Sequence, residues 1–305
     1  MMSARFLTVV LERAFNMRDG FGREIDYMRI SVIDSCNLNC YYCNPCDNNE
    51  HCHALNILSV KEVLCIVRAA TRLGIKHFRL TGGEPLLHPQ LDEMVLQIKK
   101  IPGVSSVSLT TNAVLLAQHA KWLKEAGIDS INVSLDTIDA SEYERITKKP
   151  LLEEVKHGIN AAIECGIRVK INVVLTPQTD VVALTRYVAK KGTDIRFIEM
   201  MPVGEGHTNG VEPYKKVIGT LSKLYGEPCR INTEKTKEIN SGNDKRKIPD
   251  NGPAEYYIFP ELGIRVGLIQ AIHGKFCATC NRIRVTADGR LMPCLGSSVT
   301  MDLVP

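Results

Sequence analysis

The sequence predicts an α/β protein built as an incomplete, open (βα)6 TIM-type barrel, followed by a C-terminal extension that carries a second group of cysteines. Two observations lead to this fold class. Short β-rich runs alternate with stretches of helical period from residue 28 onward, which is typical of βα units around a parallel sheet. The eleven cysteines are also bunched, near residues 36–52 and 277–294. A closed eight-stranded barrel would need more βα units than this chain supplies.

The strands are predicted from their apolar runs, several of which are nearly continuous, as expected for strands covered on both faces. The predicted strands are 29–33, 77–81, 106–111, 130–135, 169–175 and 195–200. The predicted helices are 59–73, 91–100, 116–126, 151–165 and 180–190. Ser59 followed by Glu62 predicts a capping box, and glycines 74, 127 and 166 each follow a predicted helix.

Composition and charge set the domain organisation and exclude some functions. We expect an N-terminal extension over residues 1–27, the barrel over 28–226 and an auxiliary region over 227–305, with a polar, mobile loop at 232–253. A net charge of +4, spread along the chain, does not favour nucleic-acid binding, although a local basic pocket for a phosphorylated small molecule stays open. No apolar run approaches the roughly 20 residues of a membrane span, so we expect a cytoplasmic protein without a membrane partner.

The first cysteine group, Cys36, Cys40 and Cys43, comes directly after the first predicted strand. In a parallel barrel this position is the C-terminal mouth, where active sites form. Three thiolates leave one iron of a cubane cluster without a protein ligand, and an open iron can bind a small molecule. A four-ligand zinc knuckle is the alternative, because further ligands are close in sequence. These are Cys46, His51, Cys52 and His53.

The second cysteine group is Cys277, Cys280 and Cys294, again three potential ligands. Zinc is again the alternative, with Cys229 or His273 as a fourth ligand. Arg282 and Arg284 follow the pair of cysteines and alternate on one face of a predicted strand. Guanidinium forks suit a phosphate or a purine edge, whereas two solvated surface arginines would be the plain alternative.

The first cysteine group, with the aromatic Tyr42 before its last cysteine, resembles the signature of the radical S-adenosylmethionine (SAM) superfamily. This resemblance implies a radical SAM barrel, in which SAM binds the open iron of a 4Fe-4S cluster and is cleaved reductively to a 5'-deoxyadenosyl radical. The segment Thr81-Gly-Gly-Glu-Pro85 fits the same superfamily, in which it holds the SAM amino group. Its glycines would let backbone approach a ligand and its glutamate would accept from an ammonium, although alone it could be an ordinary βα turn.

The longer segments resemble the GTP 3',8-cyclase family, which starts molybdenum cofactor biosynthesis. They include Arg79-Leu-Thr-Gly-Gly-Glu-Pro, Thr110-Thr-Asn112, Arg196-Phe-Ile-Glu-Met-Met-Pro and the tail from Phe276 to Gly289. The resemblance implies two 4Fe-4S clusters, SAM, and conversion of GTP to (8S)-3',8-cyclo-7,8-dihydroguanosine 5'-triphosphate. It places substrate contacts on Arg29, Arg79, Thr110, Lys170, Arg196, Arg282 and Arg284, the last two with catalytic roles. It places SAM contacts on Tyr42, Gly82, Gly83, Glu84, Ser134, Asn172 and Met201.

The sequence also departs from that family. His77 stands where the family usually has lysine, Asn44 replaces a methionine and Ala113 replaces a glycine, while the printed sequence ends at Pro305 without the Gly-Gly tail on which family activity relies. Two other functions therefore stay open, a related radical SAM enzyme acting on another nucleotide or a peptide, and a non-enzymatic cysteine-rich metal protein. The resemblance further implies an electron donor such as flavodoxin or ferredoxin, and a possible homodimer.

Overall fold

The computed structural model describes residues 17–43, 56–202, 210–231 and 252–303. Several features predicted from the sequence lie outside these ranges. They are Asn44, Cys46, His51, Cys52, His53 and most of the predicted loop at 232–253.

Helices cover the predicted positions, with ends that differ by one residue. The helices are α1 Val60–Arg72, α2 Leu91–Lys99, α3 Leu116–Glu125, α4 Ala140–Thr147, α5 Leu152–Glu164, α6 Val181–Lys190 and α7 Gly219–Tyr225. Ser59 forms the predicted capping box with Glu62 at the start of α1, so that prediction is confirmed. Helices α4 and α7 are short and were not predicted. Asp139 caps α4 by accepting a hydrogen bond from the backbone N–H of Glu142.

The predicted parallel strands are confirmed and form the centre of one 12-stranded sheet. The strands are β1 Tyr27–Ser31, β2 His77–Thr81, β3 Ser106–Thr111, β4 Ser130–Ser134, β5 Val169–Val174, β6 Asp194–Ile198, β7 Cys229–Ile231, β8 Glu255–Ile258, β9 Arg265–Ile269, β10 Arg282–Val285, β11 Arg290–Met292 and β12 Met301–Asp302. The first six lie side by side in chain order, which is the incomplete (βα)6 barrel expected from the sequence.

The C-terminal part of the chain extends this sheet at both edges. Strand β9 pairs in parallel with β6, and β10 pairs in parallel with β1. Eight neighbouring strands therefore run parallel, in the order β10, β1 to β6 and β9. The division of the chain at residue 226 stays a prediction, because these strands share the sheet of the barrel.

The two faces of the first strands differ in polarity. In β1, Met28 and Ile30 are buried against the helices, and in β2 Phe78 and Leu80 are buried in the same way. The alternate positions are polar and face the centre of the barrel. They are Tyr27, Arg29 and Ser31 in β1, and His77, Arg79 and Thr81 in β2. Strands β1 and β2 are therefore apolar on one face only, because their inner faces surround a polar cavity.

Within the described residues, no helix is both long and apolar enough to cross a membrane.

Candidate active site

A cavity of about 330 Å³ lies inside the barrel and is lined by the inward-facing residues of β1 to β6, together with residues of β9, β10 and Pro253. Most of the predicted substrate contacts meet there. The cavity is lined by Arg29, Arg79, Thr110, Lys170, Arg196 and Arg282, and also by Asn172. These residues, implied by the resemblance, therefore line one cavity, and their contact with a substrate stays a prediction. The resemblance did not identify the polar residues between the cations, among them Tyr27, Ser108 and Asn132.

Arg29 lies at the centre of this cationic wall. Its Nε atom is buried and has no hydrogen-bond partner among the described residues. Burial, and then the nearby guanidiniums of Arg284 and Arg79, lower the pKa of Arg29 to about 9. A guanidinium remains charged at neutral pH, so Arg29 carries a buried, uncompensated positive charge that destabilises the protein without a ligand. A bound polyanion would compensate that charge.

Arg284 belongs to the same cluster although it does not line the cavity. It is in register with Arg29 across the β1–β10 pair. Burial and the neighbouring Arg282 lower the pKa of Arg284 as well. The pairing of β10 with β1 thus brings two arginines from near the end of the chain beside one from near its beginning.

Arg79 is held in place by neighbours on two strands. Its Nε donates a hydrogen bond to the hydroxyl of Tyr27, and its Nη1 donates to the carbonyl of Leu109 at 3.3 Å and the hydroxyl of Thr110 at 3.4 Å. The guanidinium also lies 5.9 Å from the centre of the Tyr27 ring. These contacts fix the direction of the fork without neutralising its charge.

The opposite wall carries two buried cations, Lys170 and Arg196, each about 6% exposed. The Nε of Arg196 donates to Oδ1 of Asn172 at 2.9 Å. Gly267 makes this position possible, because a Cβ there would lie 2.7 Å from Cγ of Arg196. The requirement comes from the register of β6 against β9, which the spacing of residues along the sequence does not reveal.

The first cysteine group has three free thiols beyond the C-terminal end of β1. Partial burial raises the pKa of each thiol, to about 12 for Cys40, where the carboxylate of Asp136 and then the thiols of Cys43 and Cys36 add to the shift; Cys36 and Cys43 keep exposed surface. The donor amide of Asn112 lies 3.8 Å from Sγ of Cys36. These observations fit an iron-sulfur cluster, because iron would compensate the negative charge that burial makes costly on the thiolates.

The Gly-Gly-Glu segment supports the cysteine loop directly. A Cβ on Gly82 would lie 2.3 Å from the carbonyl oxygen of Ile33, and one on Gly83 would lie 2.2 Å from that of Ser35. These positions require glycine because the loop that leads into Cys36 lies directly against them. Their contact with SAM stays a prediction.

Glu84 is fully buried, and protein donors surround its carboxylate. Its Oε1 accepts from the backbone N–H of Leu86 at 3.0 Å and the hydroxyl of Thr111 at 2.7 Å, while Oε2 accepts from the N–H of Asn112 at 2.7 Å. These bonds hold the turn after β2 against the end of β3. The structure thus gives Glu84 a positioning role, and the direct contact with SAM stays a prediction.

The remaining predicted SAM contacts lie at the strand ends. Ser134 is in register with Asn172 across β4 and β5, and Met201 is half-buried three residues after β6. Neither Ser134 nor Met201 lines the cavity. Tyr42 reaches the same end of the barrel through a hydrogen bond from its hydroxyl to Asp136.

The second cysteine group lies beside arginines at the other end of the cavity. Cys277 and Cys280 precede β10, whose first residue is in register with Tyr27 at the start of β1. Arg23 donates to the carbonyl of Cys277 at 2.8 Å, and the thiols of Cys280 and Cys277 help to raise its pKa, after the larger effect of Asp19. These free, mostly exposed thiols beside guanidiniums suit a second anionic cluster.

Within the described ranges, no three Cys, His, Asp or Glu side chains are grouped closely enough to hold one metal ion, and this finding does not distinguish zinc from iron. His273, a candidate fourth ligand, is bonded through Nδ1 to the buried carboxylate of Glu199. The other candidates beside the first cysteine group lie outside the described ranges.

Comparison with known proteins identifies the family. Residues 30–184 match the Radical SAM superfamily, and residues 193–305 match Molybdenum Cofactor Synthesis C. The chain is 37% identical over 282 residues to GTP 3',8-cyclase of Clostridium perfringens (strain SM101 / Type A), covering 92% of this chain and 83% of that protein. The chain belongs to the GTP 3',8-cyclase family. The enzyme of that name from Pelotomaculum thermopropionicum is 38% identical over 294 residues, covering 94% of this chain and 86% of that protein.

Solved structures confirm the radical SAM fold. Streptococcus suis SuiB bound to S-adenosylmethionine superposes with a TM-score of 0.64 at 15% identity, covering 91% of this chain and 63% of that one. AnSMEcpe with bound AdoMet superposes with a TM-score of 0.60 at 18% identity, covering 90% of this chain and 75% of that one. This GTP 3',8-cyclase family member is accordingly a radical SAM enzyme whose cofactors are SAM and iron-sulfur clusters.

Proposed function

We propose that this chain converts GTP to (8S)-3',8-cyclo-7,8-dihydroguanosine 5'-triphosphate, the first step of molybdopterin biosynthesis. The observation that carries the proposal is the cationic cavity between the two cysteine groups, with the unpartnered Nε of Arg29 buried in its wall. A nucleoside triphosphate supplies several negative charges on one molecule, which matches the convergence of arginines there.

The two cysteine groups lie toward opposite ends of the barrel strands. Cys36 follows the C-terminal end of β1, whereas Cys280 precedes β10 at the level of the N-terminal end of β1. We infer that Cys36, Cys40 and Cys43 hold the cluster that binds SAM. When bound there, SAM supplies the radical that starts ring closure. We infer that the second group holds the other cluster.

The residues of the cavity then act by binding, orienting and excluding water. Arg29, Arg79 and Lys170 would bind the phosphates, and Arg282 and Arg284 would hold the nucleotide near the second cysteine group. The hydrogen bonds that fix Arg79 and Arg196 limit the orientations that the substrate can adopt. The strands around the cavity would limit the access of dioxygen, which would trap a carbon radical.

The proposal extends to the setting of the enzyme. It includes a cytoplasmic location, where a reducing environment keeps these cysteines available for iron. It also includes a low-potential electron donor such as flavodoxin or ferredoxin, and a homodimer.

An anaerobic turnover assay tests the function. Enzyme reconstituted with iron and sulfide is mixed with a reductant, SAM and GTP that carries deuterium at C3', and the products are separated and weighed by mass spectrometry. We expect the cyclised nucleotide together with singly deuterated 5'-deoxyadenosine, because the hydrogen removed from the substrate must appear there. Unlabelled ATP in place of GTP is the matched control.

The other functions give different results in this assay. Deoxyadenosine without deuterium and without a cyclised product would overturn the proposal in favour of a radical SAM enzyme with another substrate. About two zinc ions and negligible iron per chain would favour a non-enzymatic metal protein.

A further inference from the structure

Asn112 directly follows β3 and lies against the loop that carries the first cysteine group. Its side-chain Nδ2 donates toward Sγ of Cys36 at 3.8 Å and to Oδ1 of Asn37 at 2.7 Å. The same sulfur accepts from the backbone N–H of Leu38 at 3.5 Å. A side-chain amide from a neighbouring strand end therefore contacts the sulfur of an inferred cluster ligand.

The orientation of this amide is determined by its other contacts. Its Oδ1 accepts from the backbone N–H of Val114 at 3.0 Å, so the nitrogen of the amide is the atom that faces the cysteine loop. The backbone N–H of Asn112 donates to Oε2 of Glu84 at 2.7 Å, which fixes the start of the turn. Because these bonds are already made, pointing the donor at the sulfur costs little further side-chain entropy.

The backbone that leads into Cys36 is held by the same turn after β2. The N–H of Gly83 donates to the carbonyl of Ile33, and the N–H of Glu84 donates to the carbonyl of Ser35, both at 2.8 Å. Glu84 thus holds the cysteine loop through its backbone and Asn112 through its carboxylate. The separation of amide and sulfur is set by this shared anchor.

A donor directed at a ligand sulfur affects the two oxidation states of a cluster unequally. One-electron reduction increases the negative charge on the cluster and its sulfurs, so an N–H dipole stabilises the reduced state more than the oxidised state. The donor therefore raises the reduction potential, and its removal should lower it.

We propose that Asn112 is a positioning residue that holds Cys36 and raises the reduction potential of the first cluster, which makes that cluster easier for a one-electron carrier to reduce. The inference rests on the proposed function only in taking Cys36, Cys40 and Cys43 as the ligands of that cluster. It involves neither GTP nor the second cysteine group.

A redox titration followed by electron paramagnetic resonance tests this inference without turnover. The anaerobically reconstituted protein is used without SAM and GTP, and the iron content of every variant is measured first. Cys40→Ala should lack the first cluster, so its signal is that of the second cluster and can be subtracted.

Two substitutions at Asn112 separate the effect on the sulfur from the support of the turn. Asn112→Ala removes both the donor and the acceptor for Val114. Asn112→Asp keeps that acceptor, but it has no N–H to direct at Cys36 and adds a negative charge. Asn160→Asp is the matched control, because it makes the same change near the end of α5, where Asn160 is half-buried.

We expect the ratio of reduced to oxidised first cluster at a given potential to fall by about three- to tenfold in Asn112→Ala. A tenfold fall is a shift of about 59 mV toward negative potential for a one-electron couple. Asn112→Asp should shift further in the same direction, whereas Asn160→Asp should titrate like the wild type. A wild-type potential in either Asn112 variant that holds the cluster would overturn the inference. If Cys40→Ala instead retains the iron and the signals of the wild type, the cluster assignment of the proposed function fails.

Discussion

The hydroxyl of Tyr42 donates a hydrogen bond to the buried carboxylate of Asp136. Tyr42 lies in the first cysteine group, and Asp136 follows β4. The other oxygen of Asp136 accepts from the backbone N–H of Val174 at 2.7 Å, at the end of β5. Burial raises the pKa of Asp136 to about 6. The cysteine loop is thus tied to two strand ends by one carboxylate.

Removing this carboxylate should weaken the first cluster selectively. Asp136→Ala leaves the Tyr42 hydroxyl and the Val174 N–H without an acceptor, so the loop between Cys40 and Cys43 loses its side-chain attachment to β4 and β5 and keeps only backbone bonds such as that from Tyr41 to Ile146. We expect iron after reconstitution to fall from about eight to about four per chain, with SAM cleavage reduced in parallel. Iron and sulfide assays, together with deoxyadenosine production, measure both effects.

The control for this variant is Asp92→Ala, which removes an exposed acid from the first turn of α2. It should retain full iron content. Asp136→Ala with full iron and unchanged SAM cleavage would show that the Tyr42 bond does not support the cluster.

The two cysteine groups should also be separable by mutation. Cys277→Ala removes a ligand of the second group and leaves the first untouched, so SAM cleavage should continue while formation of the cyclised nucleotide is lost. The yields of deoxyadenosine and of the cyclised nucleotide from the same reaction measure SAM cleavage and ring closure separately. Cys65→Ala, which changes an exposed cysteine in α1, is the control and should leave both yields unchanged. Loss of SAM cleavage in Cys277→Ala would mean that the second cysteine group is also needed for SAM cleavage, contrary to the roles proposed for the two groups.

Arg282 should contribute to nucleotide affinity more than to cluster assembly. It lines the cavity, and its guanidinium lies 5.4 Å from the centre of the Phe276 ring. Replacing it by alanine removes a charged hydrogen-bond donor, so the dissociation constant for GTP should rise by about 10- to 100-fold with iron content unchanged. Equilibrium dialysis measures the constant.

The control for that arginine is Arg145→Ala. Arg145 is exposed on α4, where it pairs with Glu142 at 2.7 Å, and its loss should leave GTP affinity unchanged. If Arg282→Ala and wild type bind GTP with equal affinity, Arg282 does not contact the nucleotide and behaves as a solvated surface arginine.

The sequence was sufficient for features that depend on local spacing. The strands, five of the helices and the capping box at Ser59 were all predictable, because each is determined by residues near one another in the chain. The cationic wall is different, because strand pairing brings its residues together from distant parts of the chain, and they were expected only from the family resemblance. The polar inner face of β1 is visible in the sequence as well, since Tyr27-Met-Arg-Ile-Ser31 alternates strictly between polar and apolar residues.

Features that depend on pairing between distant segments were not predictable. Gly267 has a role only because β9 places it against Arg196, and Arg23 reaches Cys277 only because β10 pairs with β1. The residues around Gly82 and Gly83 show the same limit. The close approach of the backbone of residues 33–35 to these glycines comes from the pairing of β1 with β2, which the sequence does not show.

Helices α3 and α5 meet at a glycine, which yields a prediction about stability. A Cβ on Gly158 would lie 2.4 Å from the carbonyl oxygen of Ala113 and 3.0 Å from Cβ of Leu116. Ala113 is itself constrained, since its φ of 66° lies in the left-handed region that favours glycine. The carbonyl therefore has little freedom to move away, and Gly158→Ala should lower the free energy of unfolding by about 2 kcal/mol or more.

Gly219→Ala is the matched control, because Gly219 is also helical but has open space where the Cβ would be added. Alanine should stabilise the protein there by about 0.5–1 kcal/mol, since it lowers the conformational entropy of the unfolded chain. Urea unfolding of the two variants, compared with wild type under the same anaerobic conditions, measures both changes. Equal midpoints for the two variants would show that the contact between Gly158 and Ala113 does not constrain the packing of α3 on α5, because helix propensity alone would shift both proteins in the same direction.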